Sequence, residues 1–278
     1  MAGDLHTHSK ISDGSLGLED LVTLAKRCGL TALAITDHDT VAGATRAVNL
    51  GKRAGILVVH GVEFSTTDAA RGNKAHILCY MADAPDRLEG LCRKTLAMRK
   101  RATLMSLQKV MRYYPITPEM VMARAAGSAC VYKSHIMNAL CDAGFADSIY
   151  EGTVYERLFG ANGVARVAKE YPDVREVIAQ IHEAGGLAVL AHTAAYNNDA
   201  LLEELTEEHL LDGVQVWHPD HAEDKVAQLT AYADEHGLLK IGGSDFHGMY
   251  AGCVRPLGCA TTPDDDIEKL IAYKKRRA

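Results

Sequence analysis

The sequence predicts an α/β protein with seven strands, close to a (β/α) barrel, with a helical insertion between strands 4 and 5. Three observations support this prediction. The length of 278 residues suits one barrel-sized domain with an insertion. Amphipathic helical stretches alternate with short apolar runs. The alternation stops between about residues 84 and 170, where only helical patterns remain.

The repeating unit is an amphipathic helix, a glycine and a short apolar strand. LEDLVTLAKRCG leads to LTALAIT, and DKVAQLTAYADEHG leads to LLKIGGSD. The glycine suits a left-handed helix cap, and runs of Leu, Ile and Val are typical of parallel strands covered on both faces. Seven strands are predicted, near residues 2–6, 31–36, 56–63, 75–81, 187–192, 213–217 and 238–243.

The break in the repeat predicts a barrel domain from residues 1–83 and 171–278, with a helical insertion at residues 84–170. Insertions of this kind often cover the mouth of a barrel, so we expect a lid. Residues 86–112 carry eight Lys or Arg against Asp86 and Glu89. This charge indicates either a solvated helix face or a role near an anionic ligand.

Composition excludes several classes of protein. The chain is 47% hydrophobic and 24% charged, with a formal net charge of −6, which argues against a duplex nucleic-acid binder. No apolar run approaches 18 residues and no leader is recognisable, so we expect a cytoplasmic protein without a membrane partner. Seven scattered cysteines without a C-x-x-C motif predict reduced thiols. The oligomeric state is left open.

Potential metal ligands recur at the predicted strand ends. His6 and His8 are two residues apart, so in an extended segment both imidazoles point the same way. The other strand ends carry Asp13, His38, Glu63, His192, the stretch WHPDH at 217–221, Asp245 and His247, and the fourth strand carries His76 near its beginning. The carboxyl ends of parallel barrel strands share one face, so a metal cluster is predicted there. Four histidines lie off this pattern and are expected to serve packing or the surface: His60, His182, His209 and His236.

Five motifs, DLHTHSKISDG, ITDHDT, GVEFS, AHT and GGSDFH, resemble those of the PHP (polymerase and histidinol phosphatase) family of metal-dependent phosphoesterases. The helical insertion resembles its small stand-alone members. The resemblance implies a distorted (β/α)7 barrel and three divalent ions. It assigns the first ion to His6, His8, Glu63 and Asp245, the second to Glu63, His76 and His192, and the third to Asp13, His38 and His247. Such ligands suit Mn²⁺, our leading candidate, or Fe²⁺ or Zn²⁺.

The resemblance implies hydrolysis of a small phosphorylated substrate by attack of a metal-activated hydroxide on phosphorus. A sugar cyclic phosphate and a nucleoside 3′,5′-bisphosphate both fit. The alternatives are 5′–3′ exonuclease action on short oligoribonucleotides and C–N hydrolysis of the amidohydrolase type. His221 is the candidate general acid, or else a hydrogen-bonding loop residue; His218 and Asp245 complete the predicted catalytic set.

The predicted substrate-binding residues are Lys10, Arg99, Lys133 and His135, and solvated surface charge is the alternative for the three cations. Related sequences often carry arginine where this chain has Lys10 and Lys133. A lysine lacks the planar fork that binds phosphate through two nitrogens. The substrate preference of arginine-bearing relatives therefore does not transfer directly.

Overall fold

The computed structural model describes residues 2–251 and 255–277. Its strands form one sheet in the order β7-β6-β5-β4-β3-β2-β1-β8. The strands are β1 (Ala2–Asp4), β2 (Ala32–Ile35), β3 (Leu57–Asp68), β4 (Asn73–Tyr80), β5 (Leu187–Leu190), β6 (Gly213–Trp217), β7 (Leu239–Gly242) and β8 (Thr262–Pro263). The seven predicted strands are confirmed, and β8 is a two-residue addition.

The sheet curves into a nearly closed barrel. The chain just beyond β1 meets the end of β7, where Leu5 donates its N–H to the carbonyl of Gly242 at 3.0 Å. A parallel bridge between Thr7 and Phe246 continues this seam. β8 pairs antiparallel with β1. Strands β1 and β7 therefore meet along one line of the barrel. The first motif, DLHTHSKISDG, and the last, GGSDFH, lie next to each other at this line.

Strand β4 runs opposite to its neighbours, and the prediction of seven parallel strands is wrong at this point. It pairs antiparallel with both β3 and β5. Only the residues at 69–72 connect β3 to β4, and Gly72 has a φ of +71°. A connection this short joins antiparallel strands, since parallel neighbours need a crossover of about a dozen residues or more. The reversal brings the beginning of β4 to the edge where the other strands end.

Helices surround the sheet and extend beyond it. They are α1 (Leu18–Arg27), α2 (Ala44–Ala54), α3 (Glu89–Val110), α4 (Pro118–Arg124), α5 (Lys133–Asp142), α6 (Gly152–Phe159), α7 (Val174–Glu183), α8 (Thr193–Tyr196), α9 (Asp199–Glu207), α10 (Glu223–His236) and α11 (Asp264–Arg277). Inside the barrel, apolar side chains from successive strands pack together, including Leu5, Val59, Leu78, Val189 and Ile241. This packed interior supports the polar strand ends above it.

Five helices, α3 to α7, lie between β4 and β5 in chain order; the first four, α3 to α6, fall within residues 84–170, where no strand occurs. These four share a hydrophobic cluster of their own, with Val110, Ile136, Leu140 and Leu158 at its centre. Tyr250, from beyond β7, joins this cluster. The boundaries at residues 84 and 170, and the role of a lid, stay predictions.

Two further expectations from the sequence concern membrane-spanning segments and the state of the cysteines. In the part of the chain that the structure describes, no helix combines the length and apolar character needed to cross a bilayer. The six described cysteines are free thiols. Cys253, the seventh in the sequence, lies outside the described residues.

Candidate metal centre

Histidine rings from distant parts of the sequence meet at the carboxyl end of the barrel. The ring centroids of His8 and His247 are 4.1 Å apart, those of His8 and His38 4.7 Å, and those of His76 and His192 5.1 Å. These residues follow β1, β2, β5 and β7 or lie within β4. The antiparallel direction of β4 explains how a residue in its first half reaches this edge.

Glu63, in the middle of β3, contacts two separate groups of ligands through its two oxygens. Its Oε2 lies 3.1 Å from His6 Nε2 and 3.0 Å from His8 Nε2. Its Oε1 lies 2.6 Å from His76 Nδ1 and 3.0 Å from His192 Nε2. This carboxylate has the geometry of a bridge between two ion sites.

Asp245 and Asp13 complete the cluster on the side of the barrel seam. Asp245 Oδ1 lies 3.2 Å from His8 Nε2 and 3.6 Å from His6 Nε2. Asp13 Oδ1 lies 3.4 Å from His247 Nε2 and 3.9 Å from His8 Nδ1. His8 therefore presents one nitrogen to each of the two carboxylates.

Three groups of ligand atoms, each within 4.8 Å of one another, are compatible with metal binding. They are His6–His8–Glu63–Asp245, His8–Asp13–His38–His247 and His38–Glu63–His76. The first group equals the predicted first set. The other two differ in detail from the prediction, since His8 joins the Asp13 group and His38 takes the position expected for His192 beside Glu63. His192 nevertheless contacts Glu63 directly.

The donor atoms of this cluster fit metal ions. Several are buried yet lack a hydrogen-bond partner in the described structure: His6 Nε2, His8 Nδ1 and Nε2, Asp13 Oδ1, His38 Nδ1, Glu63 Oε2 and His192 Nδ1. An unsatisfied buried polar atom costs about 1–3 kcal/mol. Spacings near 3 Å are those of two ligands each about 2.1 Å from one ion. Divalent ions at these positions would satisfy the unpaired atoms.

The protonation states of Glu63 and His38 suit a cation, whereas contacts with Asp245 and Glu63 raise the pKa of His8 against the effect of burial. Burial alone would raise the pKa of Glu63, but the surrounding histidines, His38 foremost, hold it well below its usual range. Burial lowers the pKa of His38 to about 3, against the attraction of Glu63 and Asp13. Ionised carboxylates and neutral imidazoles are the forms that bind metal.

Backbone strain is concentrated at the same place. His192 has a φ of +24°, Asp245 of +51° and Asp39 of +54°, although none of them is a glycine. Such conformations cost of the order of 1–3 kcal/mol each and persist where the surroundings enforce them. Two of the three are candidate ligands, so the strain aims their side chains into the cluster.

The structure distinguishes the two histidines that follow β6. His218 lines a cavity of about 330 Å³ above the cluster, and its Nε2 lies 3.8 Å from Asp245 Oδ2. Its Nδ1 accepts a hydrogen bond from the backbone N–H of Asp220, and burial lowers its pKa to about 4. His221 does not line this cavity and donates from Nδ1 to the carbonyl of Val216 at 2.8 Å.

The predicted substrate-binding residues are dispersed. Lys10 is exposed and is not part of the cavity wall. Arg99 is buried and donates to the carboxylate of Asp39 and to Ser65 Oγ. Its charge is therefore compensated within the protein, and its position is that of a link between α3 and the strand ends.

Lys133 and His135 both lie at the beginning of α5. Lys133 Nζ bonds the hydroxyl of Tyr155 at 2.6 Å and faces a second cavity. His135 is buried, and its Nδ1 accepts the backbone N–H of Tyr132 at 3.1 Å. This bond caps the helix. The substrate role of all four residues stays a prediction.

Gln215 in β6 is a functional candidate that the sequence analysis missed. It is fully buried, and its Oε1 accepts from the backbone N–H of His192 at 3.0 Å and from His6 Nδ1 at 3.1 Å. The second bond leaves the lone pair of His6 Nε2 facing Glu63. A glutamine inside the apolar run GVQVW was the available signal, because a buried amide needs partners.

Two more residues were missed around the cluster. Asp37 accepts hydrogen bonds from the backbone N–H and hydroxyl groups of Ser9 and Ser12, and so fixes the loop between His8 and Asp13. Arg255 lines the cavity and contacts Asp245 at 3.1 Å. No motif in the sequence marked Arg255.

Several known proteins resemble this chain over most of its length. The sequence matches the PHP domain family over residues 4–214. It is 37% identical to the phosphoribosyl 1,2-cyclic phosphate 1,2-diphosphodiesterase of Eggerthella lenta, over 90% of this chain and 95% of that protein. It is 32% identical to a 5′-3′ exoribonuclease of Haemophilus influenzae, over 88% and 89% of the two chains. A metal-dependent phosphoesterase structure from Bifidobacterium adolescentis superposes with a TM-score of 0.87 at 28% identity, covering 97% of this chain and 95% of that one.

Proposed function

Because this chain belongs to the PHP domain family, we propose that it is a metal-dependent phosphoesterase acting on a small phosphorylated metabolite, with a sugar cyclic phosphate as the leading substrate class. The observation that carries this proposal is the position of Glu63 between two groups of histidines. The similarity to a cyclic phosphate diphosphodiesterase over nearly the whole of both chains supports the substrate class.

We further propose three divalent ions, Mn²⁺ first and Fe²⁺ or Zn²⁺ as alternatives. The nine predicted ligands are His6, His8, Asp13, His38, Glu63, His76, His192, Asp245 and His247. When bound, the ions would supply an activated water and would stabilise negative charge on the phosphoryl oxygens. The mixture of imidazole and carboxylate ligands suits these metals.

The chain itself supplies orientation and a hydrogen-bond donor. The backbone N–H of Asp220 occupies Nδ1 of His218, so a neutral His218 carries its proton on Nε2. That nitrogen lies in the cavity wall with no hydrogen-bond partner in the described structure. Within the predicted catalytic set we therefore assign to His218 a hydrogen bond from its Nε2–H to the leaving oxygen, which stabilises the negative charge that develops there. His221, whose ring centroid is 5.4 Å away, packs beside it.

We also propose that the protein is located in the cytoplasm. The free thiols of the described cysteines are typical of a reducing compartment. A small phosphorylated substrate also fits an intracellular enzyme of metabolism.

The test is hydrolysis by the purified protein supplied with Mn²⁺. We would compare phosphoribosyl 1,2-cyclic phosphate, a nucleoside 3′,5′-bisphosphate, a short oligoribonucleotide and an amide panel. We expect phosphate ester hydrolysis, fastest on the cyclic phosphate, and loss of at least 100-fold in kcat for Asp245→Asn. Asp234→Asn, on the outer helix α10, is the matched control and should keep wild-type activity.

The outcomes separate the alternatives. Preference for the oligoribonucleotide would replace the metabolite with an exonuclease substrate. Hydrolysis of amides without any phosphate ester turnover would overturn the phosphoesterase proposal. Full activity of Asp245→Asn would remove Asp245 from the site.

A further inference from the structure

A second cavity, of about 610 Å³, lies beside the candidate metal centre. It is enclosed by the β3–β4 hairpin, by α3, α5 and α6, and by residues 160–171. Four cationic residues line it: Lys74, Lys133, Arg166 and Lys169. Glu156 is the one carboxylate among its lining residues in the described structure. We call this cavity the cationic cleft.

The charges in the cationic cleft are poorly compensated. In residues 2–251 and 255–277, Lys74 and Lys169 form no ion pair within 4.0 Å. Lys133 contacts the Tyr155 hydroxyl and neighbouring aromatic rings, and Arg166 donates to the carbonyl of Ala161. Like charges facing one open cavity without partners favour an anion in that cavity.

The electrostatics of the two half-buried lysines agree with this geometry. Burial, followed by repulsion from Arg99, Lys74 and Lys133, lowers the pKa of Lys169 to about 7. Burial and repulsion from Arg166 lower the pKa of Lys133 to about 8. A bound anion would stabilise both ammonium groups.

The wall of the cleft also offers unused hydrogen-bond capacity. Thr103 lines it, the side chain is only 3% exposed, and its Oγ1 has no hydrogen-bond partner in the described structure. Ser106, one turn further along α3, lines the same wall. Hydroxyl donors beside ammonium groups are typical of phosphate sites.

The cleft and the metal centre are neighbours. Lys74 precedes His76 by two residues on β4, so their side chains share one face and their Cα atoms are about 7 Å apart. The Tyr196 ring lies 6.0 Å from Lys74 Nζ and 5.2 Å from the His76 ring, and it lines the metal cavity. Tyr150 lines the metal cavity as well and lies 5.2 Å from Lys133 Nζ.

We propose that the cationic cleft is a second phosphate subsite, which binds a phosphate group of the substrate other than the one that is hydrolysed. This inference rests on the proposed phosphoesterase function. The short spacing of Lys74 and His76 on one face of β4 places the cleft beside candidate metal ligands, as a substrate with two phosphates on one sugar requires. Lysines bind such a group as point charges, without the two-pronged geometry of arginine.

The experiment compares substrates with one and two phosphates. The variant is Lys74→Gln/Lys169→Gln, and the matched control is Lys94→Gln/Lys100→Gln, two exposed lysines of α3 that do not line the cleft. Kinetics are measured on p-nitrophenyl phosphate and on phosphoribosyl 1,2-cyclic phosphate. We expect kcat/KM of the variant to fall at least tenfold on the two-phosphate substrate and less than twofold on p-nitrophenyl phosphate. The control should match wild type on both.

Equal losses on the two substrates, or none on either, would overturn the second phosphate subsite. Calorimetry can measure the binding of ribose 1,5-bisphosphate to wild type and to the variant. This measurement tests the second phosphate subsite even if no hydrolysis is found. Weaker binding by the variant alone would then support the subsite while the proposed activity fails. Unchanged binding by the variant would overturn the proposed second phosphate subsite.

Discussion

At the scale of single residues, we expect the two oxygens of Glu63 to determine how many ions the proposed centre holds. Glu63→Gln replaces one charged oxygen by an amide that cannot bridge, so we expect the loss of more than one ion per chain. Metal analysis after reconstitution with Mn²⁺ measures this. Glu203→Gln, exposed on α9, is the matched control and should keep about three ions. A loss of one ion or none would show that Glu63 does not bridge.

Gln215 forms hydrogen bonds to two candidate ligands, His6 and His192, and we expect it to orient them. Gln215→Leu keeps a similar volume but removes the acceptor for His6 Nδ1 and for the backbone N–H of His192. Outer partners of this kind typically contribute 10–100-fold to metal affinity. We therefore expect Mn²⁺ to bind at least tenfold more weakly, as measured by competition with a chelator. Gln228→Leu on α10 should bind as wild type, and equal affinities for both variants would contradict the orienting role.

At the scale of secondary-structure elements, Arg99 connects α3 to the ends of β2 and β3. Arg99→Met leaves the Asp39 carboxylate buried without its partner, which typically costs 3–5 kcal/mol. We expect a reduction of about that size in the free energy of unfolding in urea. The double variant Arg99→Met/Asp39→Asn should recover part of it, because no unpaired charge remains.

Arg93→Met, on the exposed side of α3, is the control for this experiment. A stable Arg99→Met variant with lowered affinity for substrate would instead support the substrate-binding role predicted from the sequence.

Element periodicity explains what the sequence could predict. Alternating helices and apolar runs located the strands β1 to β7. Histidines at strand ends marked the candidate metal centre. The direction of β4 was missed because a strand covered on both faces reads alike in either orientation. The roles of Gln215 and Asp37 were missed because they depend on partners distant in sequence. Positive φ values at His192 and Asp245 leave no trace in residue type.

At the scale of the whole molecule, the proposed ligands come from six strands or their following loops, so bound ions would connect most of the barrel. A ligand whose free concentration is 100–1,000 times its dissociation constant stabilises a folded protein by roughly 2.7–4.1 kcal/mol. We expect chelation to lower the melting temperature by about 5–15 °C, measured by calorimetry, and added Mn²⁺ to restore it. Asp245→Asn should respond less to both treatments. An unchanged melting temperature would indicate that no ion is held by the folded state.

The seam between β1 and β7 has a consequence for biosynthesis. His6 and His8 leave the ribosome before the helical insertion, whereas Asp245 and His247 are added only after it. Since Leu5 pairs with Gly242, the first proposed ion site can form only when β7 has docked. The two early histidines thus wait for Asp245, and we expect metal loading to follow the docking of β7.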